Sequence, residues 1–293
     1  MLRHKTFSPN LNLISSIDKF RRSNTGIVYL FTNARDEPNI AEWAAHHLLL
    51  GFDKIHIFDH KSVNPISNTL KTTFENRVQV TRIETDGSIK LDLMTKAVTI
   101  SQKNNVSWML YLDADEFLLL NRFNNVKEFL SAFSFSDAIG VNWLMFGTSH
   151  HKTQPAGLLT DNFTMSDKVI NQHIKSFVRP EKVILPAINP HFFNMTNPNR
   201  YFAASGNRMN QGPFNQVSKI FTRVSAYIAH YYTQSEEEHL RRKGRAMDDG
   251  TPPGKSGMYP EVHTLHNEVV NTQLQYKYSQ KTKAYLSRYN ISI

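Results

Sequence analysis

Cysteine is absent from all 293 residues. Disulfides, thiolate nucleophiles and cysteine-ligated zinc are excluded together, and any bound metal must take its ligands from Asp, Glu and His. Folding in a reducing compartment fits the same absence. Glycine and proline are scarce, at 12 each, which excludes a collagen-like or low-complexity chain. No apolar run approaches the roughly 20 residues that span a bilayer. Met1 to Asn12 carries Arg3, His4 and Lys5 but no apolar segment or cleavage pattern behind them, so no secretory signal is read there and an intracellular location is expected. Acid is the scarcer charge, with 25 Asp and Glu against 34 Lys and Arg, a formal net charge of +9.

What is present is an ordinary globular composition, 40% apolar and 20% charged, in a chain long enough for one large α/β domain or two small ones. The excess positive charge gathers at the ends. Residues 1–25 hold Arg3, Lys5, Lys19, Arg21 and Arg22 against Asp18, and the tail from Lys277 adds Lys281, Lys283 and Arg288 with no acid. Such ends suit an anionic membrane surface or, as the less favoured partner, nucleic acid; solvated termini are the plain alternative.

Gly26 to Thr32 is a short β-branched and aromatic run that ends in Asn33-Ala-Arg-Asp-Glu-Pro38. Apolar positions at helical spacing follow from Asn39 to Leu50, and Gly51 stands where a helix stops. Lys54 to Phe58 is a second strand, ending at Asp59. Strand, helix, strand in so short a span is the crossover unit of a parallel sheet. It recurs with Val78–Ile83 as strand, Ile89–Gln102 as helix and Ser107–Leu112 as a continuous apolar strand running into Asp113-Ala-Asp115-Glu116. Downstream the pattern predicts a helix over Asn124–Phe133, a strand over Ala138–Phe146, a polar loop over Gly147–Asp167, an antiparallel strand pair at His173–Val178 and Lys182–Leu185, and a long loop over Asn194–Pro213. Ser225–Tyr232 reads as a strand, Ser235 as the N-cap of a helix reaching about Met247, Gly250–Gly254 as a break, and the rest as a helical basic tail. Trp43 and Trp143 are expected in the core, and His46 and His47 on a helix face.

In open parallel sheets ligands collect at the carboxyl ends of strands, and three such ends carry polar clusters: Asn33–Glu37, Asp59–Ser62 and Asp113–Glu116. An Asp-x-Asp pair at a strand end can bind a divalent cation whose other positions go to a diphosphate, and the cation then neutralises charge on the leaving group. A capped turn is the plain alternative for the same residues.

Read in order, Asn33-Ala-Arg-Asp-Glu-Pro-Asn-Ile-Ala-Glu-Trp43, Gly51 to Ser62, Tyr111-Leu-Asp-Ala-Asp-Glu-Phe117, Asn142 to Ser149, Ile174 to Pro180, His191-Phe and His230 to Ser235 with Gly244 make a set. This ordered set resembles glycosyltransferase family 92 and its bacterial relatives over about three quarters of the chain. The resemblance implies an α/β GT-A fold, Rossmann-like, with a mixed, mostly parallel sheet flanked by helices. The expected divisions are a basic segment 1–25, a catalytic domain 26–232 and a C-terminal helical extension 233–293. The activity implied is inverting, metal-dependent transfer of a sugar from a nucleotide-sugar donor, with UDP-galactose favoured, to a glycan or lipid-linked glycan, on a cytoplasmic enzyme peripheral to the membrane. Carried over by position, Arg35 and Asp36 line the nucleotide pocket, Asp59 faces the base, and Asp113 and Asp115 are the metal motif. His230 completes the site for Mn2+ (or Mg2+), in preference to His191, because it ends a strand-like run followed at once by the helix capped at Ser235, whereas His191 lies next to a long Asn-rich loop, and a ligand must be held precisely. Arg242 belongs to the diphosphate contacts. The resemblance departs at Gln234 and Arg242, where Lys is usual, and at His239, where an aromatic is usual. Among Asp161, Asp167 and Glu181 as general base, Asp161 is preferred because it follows the Pro155-Ala-Gly-Leu-Leu stretch. Two rivals stand beside this reading: a non-catalytic glycan or nucleic-acid binder of the same shape, and a sugar nucleotidyltransferase. The latter usually carries a glycine-rich phosphate loop after its first strand, and Asn33–Pro38 has no glycine.

Overall fold

Two parallel strands must be joined by a crossover, and the chain supplies one helix per crossover from its start. The computed structural model describes residues 25–70, 74–214, 225–244 and 261–291; the basic stretch of the first 24 residues and the break at Gly250–Gly254 lie outside them. In order come β1 (Val28–Ala34), α1 (Ile40–Leu49), β2 (Lys54–His60), the short α2 (Ile66–Thr69), β3 (Val78–Ile83), α3 (Lys90–Lys103) and β4 (Trp108–Tyr111). There follow β5 (Glu116–Leu120), α4 (Val126–Ser131), β6 (Ala138–Met145), α5 (Leu159–Asn162), β7 (Met165–Ser166), β8 (Ile174–Val178), β9 (Tyr201–Ala203), β10 (Ala226–His230), α6 (Glu236–Lys243), β11 (Val269–Val270) and α7 (Gln273–Ser287). The main sheet runs β3-β2-β1-β4-β8-β6-β10-β5, with β9 on β6. It is a mixed, mostly parallel α/β sheet flanked by helices, as expected. The first four strands are parallel, β8 is antiparallel to both neighbours, and β5 is antiparallel to β10.

Both faces of the parallel half are covered, which is why its strands read as unbroken apolar runs rather than alternating ones. One face packs Leu30, Ile55 and Leu110 with Trp43 of α1 and Leu274 and Tyr278 of α7. The other packs Phe31, Phe58 and Tyr111 with Met94, Ala97 and Val98 of α3. No helix among the described residues is long and apolar enough to cross a membrane.

Three polar rings on α1 hold β5 in place. Trp43 Nε1 donates to Glu116 O at 2.8 Å and His46 Nε2 donates to Leu118 O at 2.8 Å. His47 Nε2 accepts from Leu118 N at 3.3 Å, so its Nδ1 carries the proton and donates to Trp43 O at 2.8 Å. The two histidines, expected on a helix face, are therefore internal and neutral, their pKa values depressed by burial. Other departures have local causes. Lys182–Leu185 is not a strand: Pro180 opens a 3-10 turn over Pro180–Lys182, and both edges of β8 are already taken by β4 and β6. The loop over 147–167 contains α5 and β7, and the loop over 194–213 contains β9. Ser235 does cap α6, accepting from Glu238 N at 3.1 Å. The division at 232 falls between β10 and α6, yet α6 folds back onto the strand ends, and α7 joins the core of α1.

Burial, then Lys54 and Lys96, lowers the pKa of His56 in β2 to about 4. A depressed histidine contributes stability that is present above its unfolded value of 6.5 and lost as pH falls toward 4. His56→Gln should therefore gain about 2 to 3 kcal/mol relative to wild type between pH 7 and 4. Urea melts of both proteins at the two pH values measure this, and parallel curves would refute it.

Candidate active site

The junction between β4 and β5 is where the chemistry gathers. Leu112 N bonds Phe31 O at 3.0 Å, after which the chain turns through Asp113-Ala-Asp115. It re-enters the sheet as β5, where Glu116 stands opposite His230, the last residue of β10. This register, with Tyr231 N bonded to Asp115 O at 2.9 Å, sets His230 beside Asp115.

Asp115 is buried. Its Oδ2 accepts from Arg242 Nη2 of α6 and its Oδ1 faces His230 Nε2 at 3.6 Å. Burial alone would raise its pKa, but Arg242 and His230 together hold it well below the usual carboxylate range. Asp113 accepts from Lys90 at Oδ1 and from Lys175 Nζ at Oδ2, at 3.0 Å, and the two lysines likewise outweigh burial and keep it ionised. Lys175 is almost wholly enclosed; it also donates to Pro190 O at 3.1 Å and lies 3.7 Å from Glu116 Oε1. Burial raises Glu116 to about 7, with Lys175 opposing. Glu37, from the first loop, is raised to about 7 by burial, with Arg242 opposing and Asp115 adding to the rise.

An aromatic wall closes one side. Trp143 is in the core as expected, but its ring also lies 4.4 Å from that of His230, 5.2 Å from His173 and 5.0 Å from His191. Burial, followed by Lys175, depresses His191 to about 3, so it is neutral. Its Nδ1 donates to Ile174 O at 3.3 Å.

Asp115 and His230, paired with each other here, have a separation compatible with two ligands of one divalent cation. Two ligands each about 2.0 to 2.2 Å from one ion stand roughly 3 to 4 Å apart, and Asp115 Oδ1 and His230 Nε2 do so. No group of three His, Asp or Glu able to hold a metal exists among the described residues, so the protein offers two ligands and a diphosphate would supply the rest, the usual mode for ions bound with nucleotides. Asp113, expected as a direct ligand, has both oxygens engaged by lysines.

The remaining expected residues are placed as follows. Asp36 has a left-handed backbone (φ 50), its Oδ1 accepts from Val63 N at 2.7 Å, and its carbonyl accepts from Arg241 Nη2 at 2.8 Å. Arg35 beside it has a buried Nε with no hydrogen-bond partner. Asp59 accepts from Ser62 N, Ile66 N and Arg82 Nη1 at 3.0 to 3.2 Å, and borders an open hollow of about 360 Å³ with Arg82 and Glu84. Asp161 is not brought to the cluster. It lies on α5 and pairs with Lys283 of α7 at 2.6 Å. Gln234 accepts from Asn39 Nδ2 at 3.1 Å, tying α6 to the first loop.

Lys90, Lys175 and Glu37 were not singled out from sequence. Lys175 and Glu37 lie inside the quoted blocks, and Lys90 had one visible signal, a cation on the first residue of a helix, where the dipole disfavours it.

The sequence profile described as Glycosyltransferase family 92 matches residues 28–282. The chain belongs to glycosyltransferase family 92. A family 92 protein of Oryza sativa subsp. japonica is 25% identical over 231 residues, which is 75% of this chain and 39% of that protein. The chain thus spans well under half the length of this curated relative. Among solved structures, HddC from Yersinia pseudotuberculosis covers 53% of this chain and 77% of its own at 11% identity, with a TM-score of 0.33. Mannose-1-phosphate geranyltransferase from Thermus thermophilus covers 53% and 50% at 10% identity, with a TM-score of 0.30. At these scores nothing about the function of this family 92 chain follows from them.

Proposed function

We propose that this family 92 chain transfers a hexose from a nucleotide-sugar donor to a hydroxyl of a glycan or lipid-linked glycan with inversion at the anomeric carbon, and that UDP-galactose is the first donor to try. The carrying observation is the strand-end pair Asp113 and Asp115, where Lys90, Lys175, Arg242 and His230 converge. A leaving nucleoside diphosphate needs positive charge and an enclosed seat, and these side chains supply both. The hollow beside Asp59 is the seat we assign to the base. Asp115 and His230 would hold a divalent cation, manganese before magnesium, which when bound neutralises charge on the leaving diphosphate. Arg242 orients Asp115 from α6, and Trp143 fixes the His230 ring by packing.

Donor hydrolysis measured over a panel of UDP- and GDP-sugars with manganese tests the reading, and its failure with every donor and with added glycan acceptors would sink it. For the metal, His230→Ala should weaken manganese binding on the order of 10-fold or more, whereas His191→Ala should leave it near wild type. A titration with the two effects exchanged would move the ligand to His191.

A further inference from the structure

Two ammonium groups serve one carboxylate at Asp113, and the two lysines are not alike. Lys175 is enclosed, fixed by Pro190 O and close to Glu116 as well as to Asp113, so it answers the charge of Asp113 from inside the fold. Lys90 is reached by solvent over 13% of its side chain. It is the first residue of α3, and the N-cap Ile89 provides no side-chain acceptor for the amides of that turn. A cation there adds to the positive end of the helix dipole instead of offsetting it, which works against helix stability. Positions that break a local rule in this way are expected at functional or strained sites. The crossover places this end of α3 at the carboxyl edge of β4, beside Asp113. Glu116 supplies an independent observation: its Oε1 is fully buried with no hydrogen-bond partner, 3.7 Å from Lys175 Nζ. Lys175 is thus fixed between Asp113 and Glu116, so Asp113 keeps one buried ammonium when Lys90 leaves it.

We propose that Lys90 is a direct ligand of the donor's diphosphate: its ammonium, held on Asp113 here, transfers to a phosphate oxygen when a nucleoside diphosphate binds, and Lys175 alone then holds Asp113. The inference rests on the nucleotide-sugar reading above. It gives the chain a phosphate contact that needs no metal. Arg242 cannot play this part without abandoning Asp115, its only charged hydrogen-bond partner among the described residues.

The test is calorimetric binding of nucleoside diphosphates (UDP, GDP, CDP, ADP) and of the matching nucleosides to the full chain in excess chelator, with no turnover involved. For the diphosphate that wild type binds, Lys90→Gln should raise Kd on the order of 10-fold or more, as expected for one lost charge-assisted hydrogen bond. Nucleoside binding should stay within about twofold, and Lys90→Arg should recover most of the loss. Asp113→Asn releases Lys90 from its present partner and should tighten diphosphate binding, a gain that disappears in the double variant with Lys90→Gln. An unchanged Kd in Lys90→Gln, or equal losses for diphosphate and nucleoside, overturns the assignment. Should Lys90→Gln fail to fold, the Asp113→Asn result with Lys90→Arg in the same background decides the matter: no tightening in either overturns it. Wild type that binds a diphosphate only once manganese is added overturns the metal-free Lys90 contact, and wild type that binds none of the four with or without manganese removes the nucleotide-sugar reading itself.

Discussion

Asp115→Asn should lower turnover on the order of 100-fold or more while the protein keeps its fold. The carboxylate is buried between Arg242 and His230, so it combines charge and geometry in one group. Asparagine keeps the shape and offers Arg242 one oxygen, but removes the negative charge that holds Arg242 and would bind a cation. Losing a single preorganised electrostatic contact of this kind typically costs about 10² to 10³ in rate. Alanine is the wrong probe. The strand-end position of Asp115 invites the expectation that truncation is harmless to folding, but its side chain is 4% exposed, and Asp115→Ala strands a buried guanidinium at roughly 3 to 5 kcal/mol. Turnover of Asp115→Asn within threefold of wild type, with manganese present, would remove the residue from the mechanism.

Glu42→Ala should destabilise the protein by about 3 to 5 kcal/mol without touching the carboxylate cluster. Glu42 on α1 accepts from Leu159 N at 2.6 Å through Oε2, and through Oε1 from Thr160 N at 3.1 Å and Thr160 Oγ1 at 2.7 Å. It caps α5 from a helix more than a hundred residues away. Truncation leaves three buried donors without an acceptor and opens a void, both costly. Chemical denaturation reads the loss directly; a change below about 1 kcal/mol would mean that the turn at Leu158–Thr160 finds other acceptors.

The parallel half of the fold was legible because its code is local: apolar runs of strand length, helical spacing between them, and polar residues where each strand stops. Asp113 and Asp115 were legible for the same reason, since they are adjacent to the run that buries β4. What the residues did not show is set by distant pairing. Phe117–Leu120 carries no alternation or turn signal that marks it as a strand until β10 pairs with it, and His46 and His47 read only as helix-face residues until β5 supplies a carbonyl and an amide. Lys175 reads as an interruption in the apolar strand Ile174–Val178, and only the approach of Asp113 gives its charge a purpose. Asp161 pairs with Lys283 of α7, a partner that its position within a loop does not reveal.

The cluster also sets an order of assembly. Lys90 and Asp113 are 23 positions apart, Asp113 and Lys175 are 62 apart, and Asp115 and Arg242 are 127 apart. Short loops close early and long ones late, and chains emerge from the ribosome N-terminal half first. The β1–β4 half with α3 can therefore form while the rest is still being made, with Asp113 already held by Lys90. Asp115 then waits, ionised and unpaired, until β10 brings His230 and α6 brings Arg242. A clipped chain that stops short of residue 242 loses the guanidinium that answers Asp115 and, with it, the α7 cover over one face of the β1–β4 half.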